Sequence, residues 1–117
     1  MNPTLIKAYV AASAIAPGRI VKFGDADDHV VPAAGGADLS IGVSDMLEVA
    51  AQDRIDVIRA GIAQVQFGGD VVRGEPVSAD ADGRAVRAKA GDHIIGFAET
   101  SAHALEVACV MIAPGKY

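Results

Sequence analysis

The large aliphatic residues of this 117-residue chain are mostly β-branched, with 14 valines and 10 isoleucines against four leucines. Side chains branched at Cβ lose rotamer freedom in a helix and pack well on a pleated sheet, so this ratio favours strands. Thirteen glycines and five prolines add many turn positions. We therefore expect short strands joined by tight turns, in a chain whose length fits one domain.

Short apolar runs separated by turn signals fill the chain from Arg19 to Ile112. The predicted strands are residues 19–23, 29–33, 40–44, 54–60, 62–67, 71–72, 76–79, 84–89, 93–98 and 104–112. Gly61 is expected to mark a bend, and the acidic turn Asp80–Gly83 is typical of a hairpin. The last run is apolar at alternate positions on both faces, so both faces are expected to be covered. Without alternating long helices, the pattern predicts an all-β sandwich or small barrel.

Two stretches of the chain, residues 18–43 and 74–97, share one order of signals at an offset of 56 to 54 residues. Each has Gly-x-x-Val, a turn containing Asp-Ala-Asp, a β-branched residue and then Ile-Gly followed by an apolar residue. Two copies of one hairpin unit, packed into a single barrel, would produce this pseudo-repeat. Convergent turn chemistry in a chain rich in Ala, Gly and Asp would produce it as well, and the sequence leaves both readings open.

Residues 1–17 differ from the rest, and we divide the chain into an N-terminal arm or first strand (1–17) and a single β domain (18–117). Pro3 and Pro17 bracket the segment, whose apolar spacing fits a short helix, an extended arm or a first strand. Apolar residues outside the repeated part indicate docking, either on the domain itself or on a partner. The candidate partner-binding residues are Leu5, Ile6, Tyr9 and Val10.

Charge and motif content exclude several classes of ligand. The net charge of −5, without a basic block, argues against a nucleic-acid partner, because phosphate contacts need clustered Lys and Arg. The apolar run from Ala8 to Pro17 is too short to cross a bilayer, so no membrane partner is expected. A single cysteine, Cys109, excludes a disulfide within the chain and a multi-cysteine metal site. Acidic turns are typical of hairpins, and the phosphate-loop pattern is missing, so we expect no metal and no cofactor.

The residues that could support catalysis are few. Asp92 precedes His93, but no Gly-x-Ser-x-Gly motif supplies a nucleophile. Cys109 lies in an apolar alternating run, which is typical of a packed thiol. A small hydrolase would need His93, Asp92 and a serine or Cys109 within hydrogen-bond reach. A ligand- or carbohydrate-binding β-module is the other alternative, although the chain has few aromatic residues for such a platform. We predict no catalytic residues.

Several stretches resemble small bacteriophage head decoration (capsid cement) proteins. The first is Ile15-x-Pro17-Gly18-Arg19-Ile20-Val21-Lys22-Phe23. The others are Ile41-Gly42-Val43-Ser44, Val57-x-x-x-Gly61-Ile62-Ala63-x-Val65, and Gly69-x-Val71-x-x-Gly74-x-x-Val77-x-x-Asp80-x-x-Gly83-Arg84-Ala85-Val86. These motifs are glycines at turns and β-branched residues in strands, and they extend over about residues 15–114.

The resemblance implies a compact β-barrel or tulip-like domain with an N-terminal arm that reaches neighbouring subunits. It implies a non-enzymatic structural role: binding to the outer surface of a phage capsid and stabilising the shell. The implied partners are the major capsid protein and two further copies of the chain, in a homotrimer. The implied location is the exterior of the virion, after synthesis in the cytoplasm of the bacterial host.

Overall fold

The computed structural model describes residues 4–117 as an all-β molecule, which confirms the predicted fold class. The strands are β1 (Leu5–Ala11), β2 (Ile20–Phe23), β3 (His29–Pro32), β4 (Ser40–Ser44), β5 (Arg54–Gln66), β6 (Pro76–Ala79), β7 (Ala85–Arg87), β8 (His93–Ala98) and β9 (Val107–Lys116). Residues 1–3 of the predicted N-terminal segment lie outside the described part of the chain. Within residues 4–117, no helix has the length and hydropathy needed to cross a membrane.

The first five strands form a closed barrel, which we call barrel 1. They are hydrogen-bonded in the order β1-β3-β2-β4-β5, and β1 pairs again with β5 to close the ring. β1 runs parallel to β3 and antiparallel to β5, with Tyr9 opposite Ile55. The interior is filled by Tyr9, Ala11, Ile15, Val21, Val30, Ile41, Ile55 and Val57. Closing the ring buries these apolar side chains from all sides. A chain with few large side chains needs such complete burial to form a stable core.

The end of β5 and the last four strands form a second five-stranded unit, which we call barrel 2. Here the order is β5-β9-β8-β6-β7. Directly after β5, Phe67 makes a parallel bridge to Ala85 on β7, so the end of this segment meets the far side of the unit. Phe67 is fully buried and is among the largest side chains of this core.

The two barrels are built alike, so the sequence echo corresponds to a structural repeat. β1-β3-β2-β4-β5 in barrel 1 corresponds to β5-β7-β6-β8-β9 in barrel 2. The bridge Ile15–Val49 recurs as Val71–Ala102, 56 positions later (71 minus 15) on one side and 53 (102 minus 49) on the other. The repeated unit is therefore larger than the predicted hairpin. Barrel 1 closes through the pairing of β1 with β5, whereas the two ends of barrel 2 meet at the single bridge from Phe67 to Ala85.

β5 is a single strand of 13 residues that belongs to both barrels. The sequence predicted two strands separated by a bend at Gly61, but the strand continues through that residue. Gly61 has φ of +97°, a conformation open to glycine, and it lies next to a register shift where β1 pairs with β5. The backbone irregularity that glycine permits therefore joins the barrels without ending the strand.

The outer face of barrel 1 packs into the core of barrel 2. Ile20, Ala33 and Val43 are fully buried and belong to the same apolar cluster as the interior of barrel 2. The Ile20 N–H donates to the Gly83 carbonyl oxygen at 2.8 Å. Burial and the nearby Arg84 guanidinium lower the pKa of Arg19, which flanks this contact. The barrels thus share a strand, and outer residues of barrel 1 complete the core of barrel 2, while the interior of barrel 1 forms a separate cluster.

The prediction that both faces of the last strand are covered is wrong. On β9, Val110 and Ile112 are buried, whereas Val107 and Met111 are exposed and Cys109 is half-buried. β9 pairs with β5 and β8 in the wall of barrel 2, so only its inward face packs against the core. Alternating apolar residues on the other face leave an apolar surface open to solvent.

Candidate contact surfaces

The four predicted partner-binding residues lie on β1, where the structure separates them by burial. Leu5 and Ile6 are 58% and 55% exposed, whereas Tyr9 is 3% exposed and Val10 is half-buried. A partner could therefore touch Leu5 and Ile6 directly, while Tyr9 belongs to the interior of barrel 1. Tyr9 and Val10 fix the strand that presents the other two side chains.

Tyr9 holds β1 in place through polar contacts as well as burial. Its hydroxyl oxygen accepts a hydrogen bond from Arg59 Nη1 at 2.9 Å. The Lys7 ammonium lies 5.0 Å from the centre of the Tyr9 ring, within cation–π range. The guanidinium of Arg59 also donates from Nε to the Ile41 carbonyl, so the contact ties β1, β4 and β5 together.

We expect Tyr9→Phe to lower the free energy of unfolding by about 1 kcal/mol, because the partly buried hydrogen bond to Arg59 is lost while the ring remains. Urea unfolding followed by circular dichroism measures the change. Tyr117→Phe is the matched control, since Tyr117 is exposed and its hydroxyl removal should change little. Equal unfolding midpoints for the two variants would contradict the assigned role of Tyr9.

The first part of β1 has an open backbone edge. β3 pairs only with Val10 and Ala11, and the Val10 N–H donates to the Asp28 carbonyl oxygen at 2.7 Å. Within residues 4–117, no strand pairs with Leu5–Tyr9 on the edge that faces away from β5. An unpaired edge beside exposed apolar side chains can accept an extended segment of another chain.

The acidic turns stabilise their own backbone. In the turn between β6 and β7, Asp80 Oδ1 accepts the N–H groups of Asp82 and Arg84 at 2.8 and 2.9 Å. Asp82 also pairs with the Arg84 guanidinium at 3.1 Å. Among the described residues 4–117, no three His, Cys, Asp or Glu side chains are grouped so that they could hold a metal ion.

The candidate catalytic side chains are not brought together. Ser78 Oγ donates to the backbone carbonyl of His93 at 2.9 Å, not to its ring. Asp92 Oδ2 accepts the Lys89 N–H at 2.9 Å and so caps a turn. Cys109 lies on the outer face of β9, opposite Gln64 on β5. Among the described residues, these hydrogen bonds do not link the His93 ring to Asp92, a serine or Cys109, which is the arrangement that the hydrolase alternative needs.

A second apolar surface, which the sequence analysis missed, lies on the outside of barrel 2. Phe97 on β8 and Met111 on β9 are directly opposite each other and are 37% and 44% exposed. Pro76 pairs with Phe97 on the next strand and is half-buried. The sequence signal for this surface is the run of apolar residues on both faces of residues 104–112. That pattern predicts burial of both faces instead of one exposed apolar face.

The fold and these two surfaces define an all-β module with exposed apolar contact areas. Residues 2–112 match the family model described as phage cement protein, and the chain belongs to that family of capsid-associated structural proteins. The predicted resemblance to phage head decoration proteins is thereby confirmed. No curated protein matches the sequence.

Among solved structures, the chain is similar to the head fiber gp8.5 N base of bacteriophage phi29. The two have a TM-score of 0.77 and are 21% identical, and the match covers 98% of each chain. At this identity the likeness establishes a shared fold, and it extends over both barrels.

Proposed function

We propose that this protein binds the outer surface of a phage capsid as a homotrimer and stabilises the shell without catalysing a reaction. The proposed partner is the major capsid protein, and the proposed location is the exterior of the virion after synthesis in the host cytoplasm. Membership of the phage cement family supports this role. The observation that carries it is the exposed apolar end of β1, at Leu5 and Ile6.

Leu5 and Ile6 are suited to contact because they are apolar, exposed and held on a folded strand. Complete burial of an aliphatic side chain of this size contributes about 1.5–3 kcal/mol. The pairing of β1 with β5 from Leu5 to Val10 fixes their positions before any partner arrives. A contact residue that is already ordered loses less conformational entropy on binding than a disordered arm would.

The backbone of the same segment offers a second type of contact. We propose that an extended segment of a capsid subunit pairs with the open edge of β1 at Leu5–Tyr9. Main-chain hydrogen bonds would then add affinity, and Leu5 and Ile6 would supply apolar contacts beside them. A modest energy at each site, repeated over many copies, would strengthen the whole shell.

Co-sedimentation with phage heads, before and after expansion, tests this function. We expect the wild-type chain to bind, and we expect Leu5→Ser with Ile6→Ser to weaken binding at least about tenfold, equivalent to about 1.4 kcal/mol. Leu105→Ser is the control, since Leu105 is similarly exposed but lies on barrel 2, before β9. Point variants are preferred to a truncation of residues 1–14, because that deletion removes β1 and opens barrel 1.

Two results would count against the proposal in different ways. Wild-type protein that does not sediment with either form of the head would overturn the capsid role itself. Wild-type affinity in the double variant would show that the contact lies elsewhere. Thermal unfolding of each variant should give midpoints close to the wild-type value, which ensures that a loss of binding is not a loss of fold.

A further inference from the structure

One row of outer residues on barrel 1 is covered by barrel 2, and the corresponding row on barrel 2 is open. Row 1 comprises residues in register on β2, β4 and β5, namely Ile20, Val43 and Ile58. Row 2 comprises the equivalent residues in register on β6, β8 and β9, namely Pro76, Phe97 and Met111. The rows occupy the same place in the repeated unit, at offsets of 56, 54 and 53 positions (76 minus 20, 97 minus 43, 111 minus 58).

Row 1 forms the joint between the two barrels. Ile20 and Val43 are fully buried in the core of barrel 2, and Ile58 packs against the same cluster. The chain that leads into row 1 is close-packed as well. The Gln66 N–H donates to the Gly18 carbonyl oxygen at 3.0 Å, and a Cβ added at Gly18 would lie 3.3 Å from the Gln64 carbonyl oxygen.

Row 2 has the same register and apolar chemistry, but its environment is open. Phe97 and Met111 are exposed, whereas their equivalents are fully buried (Val43) and partly buried (Ile58). Gly74, the equivalent of Gly18, has no atom within 4 Å of the position that a Cβ would take. Row 2 is therefore a copy of the joint surface without the barrel that covers it.

The surface that receives row 1 also has an unoccupied counterpart. In barrel 2, Ala79 is buried in the core that Ile20 and Val43 complete, and the Gly83 carbonyl oxygen in the β6–β7 turn accepts the Ile20 N–H. The barrel 1 equivalents are Phe23, which is 51% exposed, and Asp28, which has the same left-handed backbone conformation as Gly83. Among residues 4–117, the end of barrel 1 beside the β2–β3 turn is thus left exposed at Phe23 and offers an equivalent receiving surface.

We infer that copies of this chain associate head to tail, with row 2 of one copy seated on the Phe23 end of barrel 1 in the next. This inference deepens the proposed homotrimer and rests on it. The occupant is a second copy because the molecule already contains this contact once, between its own barrels. Because the contact joins two different surfaces, a pair of copies still has one surface of each kind free. Further copies can therefore add until a ring closes. Three copies would close a ring of six barrels.

The chemistry of the two surfaces fits such a contact. Phe97 and Met111 would meet the Phe23 ring, and aromatic and thioether groups pack favourably together. Arg87, opposite Val77 on β7, pairs with Glu75 at 3.1 Å while its side chain stays exposed. In the proposed contact it would approach the acidic turn at Asp25–Asp28. Pro76 has no N–H and cannot repeat the hydrogen bond that Ile20 makes to Gly83. The contact between copies is therefore weaker than the joint within one copy.

Sedimentation velocity and light scattering between about 10 µM and about 1 mM test this inference, because self-association depends on concentration. We expect wild-type protein to associate in this range. Met111→Glu and Phe23→Glu should each weaken association at least about tenfold, because each places a charge in an apolar contact. Leu105→Glu introduces the same charge at an exposed leucine outside both surfaces and should associate as the wild type does. Phe97→Gln is a second row 2 variant if Met111→Glu does not fold.

Mixing the two glutamate variants tests the head-to-tail arrangement itself. Met111→Glu keeps an intact Phe23 end, and Phe23→Glu keeps an intact row 2. The mixture should therefore form a dimer with one intact contact and grow no further, whereas each variant alone stays monomeric. A mixture that stays monomeric would overturn the head-to-tail arrangement. A wild-type chain that is monomeric throughout, or variants that associate normally, would overturn the interface.

The capsid role and this interface fail separately. Wild-type protein that forms rings but does not sediment with phage heads would contradict the capsid role and leave the interface standing. Met111→Glu protein that self-associates like wild type, while wild-type protein binds heads, would contradict the interface alone.

Discussion

Gly96→Ala is expected to lower the free energy of unfolding by about 3 kcal/mol or more, because the added methyl group has no space. A Cβ at this position would overlap the Met111 carbonyl oxygen and lie 2.9 Å from the Ala113 nitrogen. Both atoms belong to the backbone of β9, which is paired on both sides and cannot move aside as a side chain could. The register between β8 and β9 shifts at this point, and glycine lets the strands approach there.

Chemical denaturation with guanidinium measures this effect. Gly35→Ala is the matched control, since nothing lies within 4 Å of its Cβ position and its φ is not in the left-handed region. It should unfold at nearly the wild-type midpoint. If Gly96→Ala and Gly35→Ala had the same midpoint, the close approach of β8 and β9 at Gly96 would be wrong.

Phe67→Ala should cost about 3–5 kcal/mol of unfolding free energy, since it removes a fully buried aromatic ring and leaves a cavity. The repeat explains why this side chain matters. Its equivalent in barrel 1 is Ala11, and there the interior volume is supplied two residues earlier by Tyr9. The equivalent of Tyr9 in barrel 2 is Val65, so Phe67 is the aromatic residue that fills the second core.

Unfolding in guanidinium, followed by circular dichroism at several wavelengths, tests Phe67→Ala and its control. Phe23→Ala removes the same ring from an exposed position and should change the midpoint far less. Because the barrels share β5 and outer residues of barrel 1 complete the core of barrel 2, loss at Phe67 should shift a single transition instead of producing a separate one for barrel 2. A small effect, or a second transition, would contradict this account of the core.

Local sequence signals predicted most of the strands. Residues 40–44, 76–79 and 93–98 were predicted with the observed bounds, because each is a β-branched run between glycine- or aspartate-rich turns. β9 was predicted to end at Ile112 but continues to Lys116 through Pro114. Its last residues pair with the start of β8, and no local pattern reveals such a long-range pairing.

Barrel closure was harder to foresee than the strands themselves. The echo between residues 18–43 and 74–97 omits β1, because β1 corresponds to the second half of β5 and their sequences share little. The equivalence becomes visible in the strand pairing, where Tyr9 lies opposite Ile55 as Val65 lies opposite Ala108. The pairing of β1 with β5 also decides which of the predicted contact residues are exposed. Leu5 and Ile6 stay exposed, but Tyr9 enters an interior that forms only when β1 pairs with β5.

The continuous β5 strand has a mechanical consequence. Most pairs of compact units in one chain are joined by a flexible connection and can swing relative to each other. Here β5 runs on without a break at the crossing point, where Ala60 pairs with Leu5 on β1 and Gly61 pairs with Ile112 on β9, so in the described part of the chain the barrels are joined by paired strand and not by a loop. A force applied to one barrel would be transmitted directly to the other, and the distance between their outer faces would stay constant.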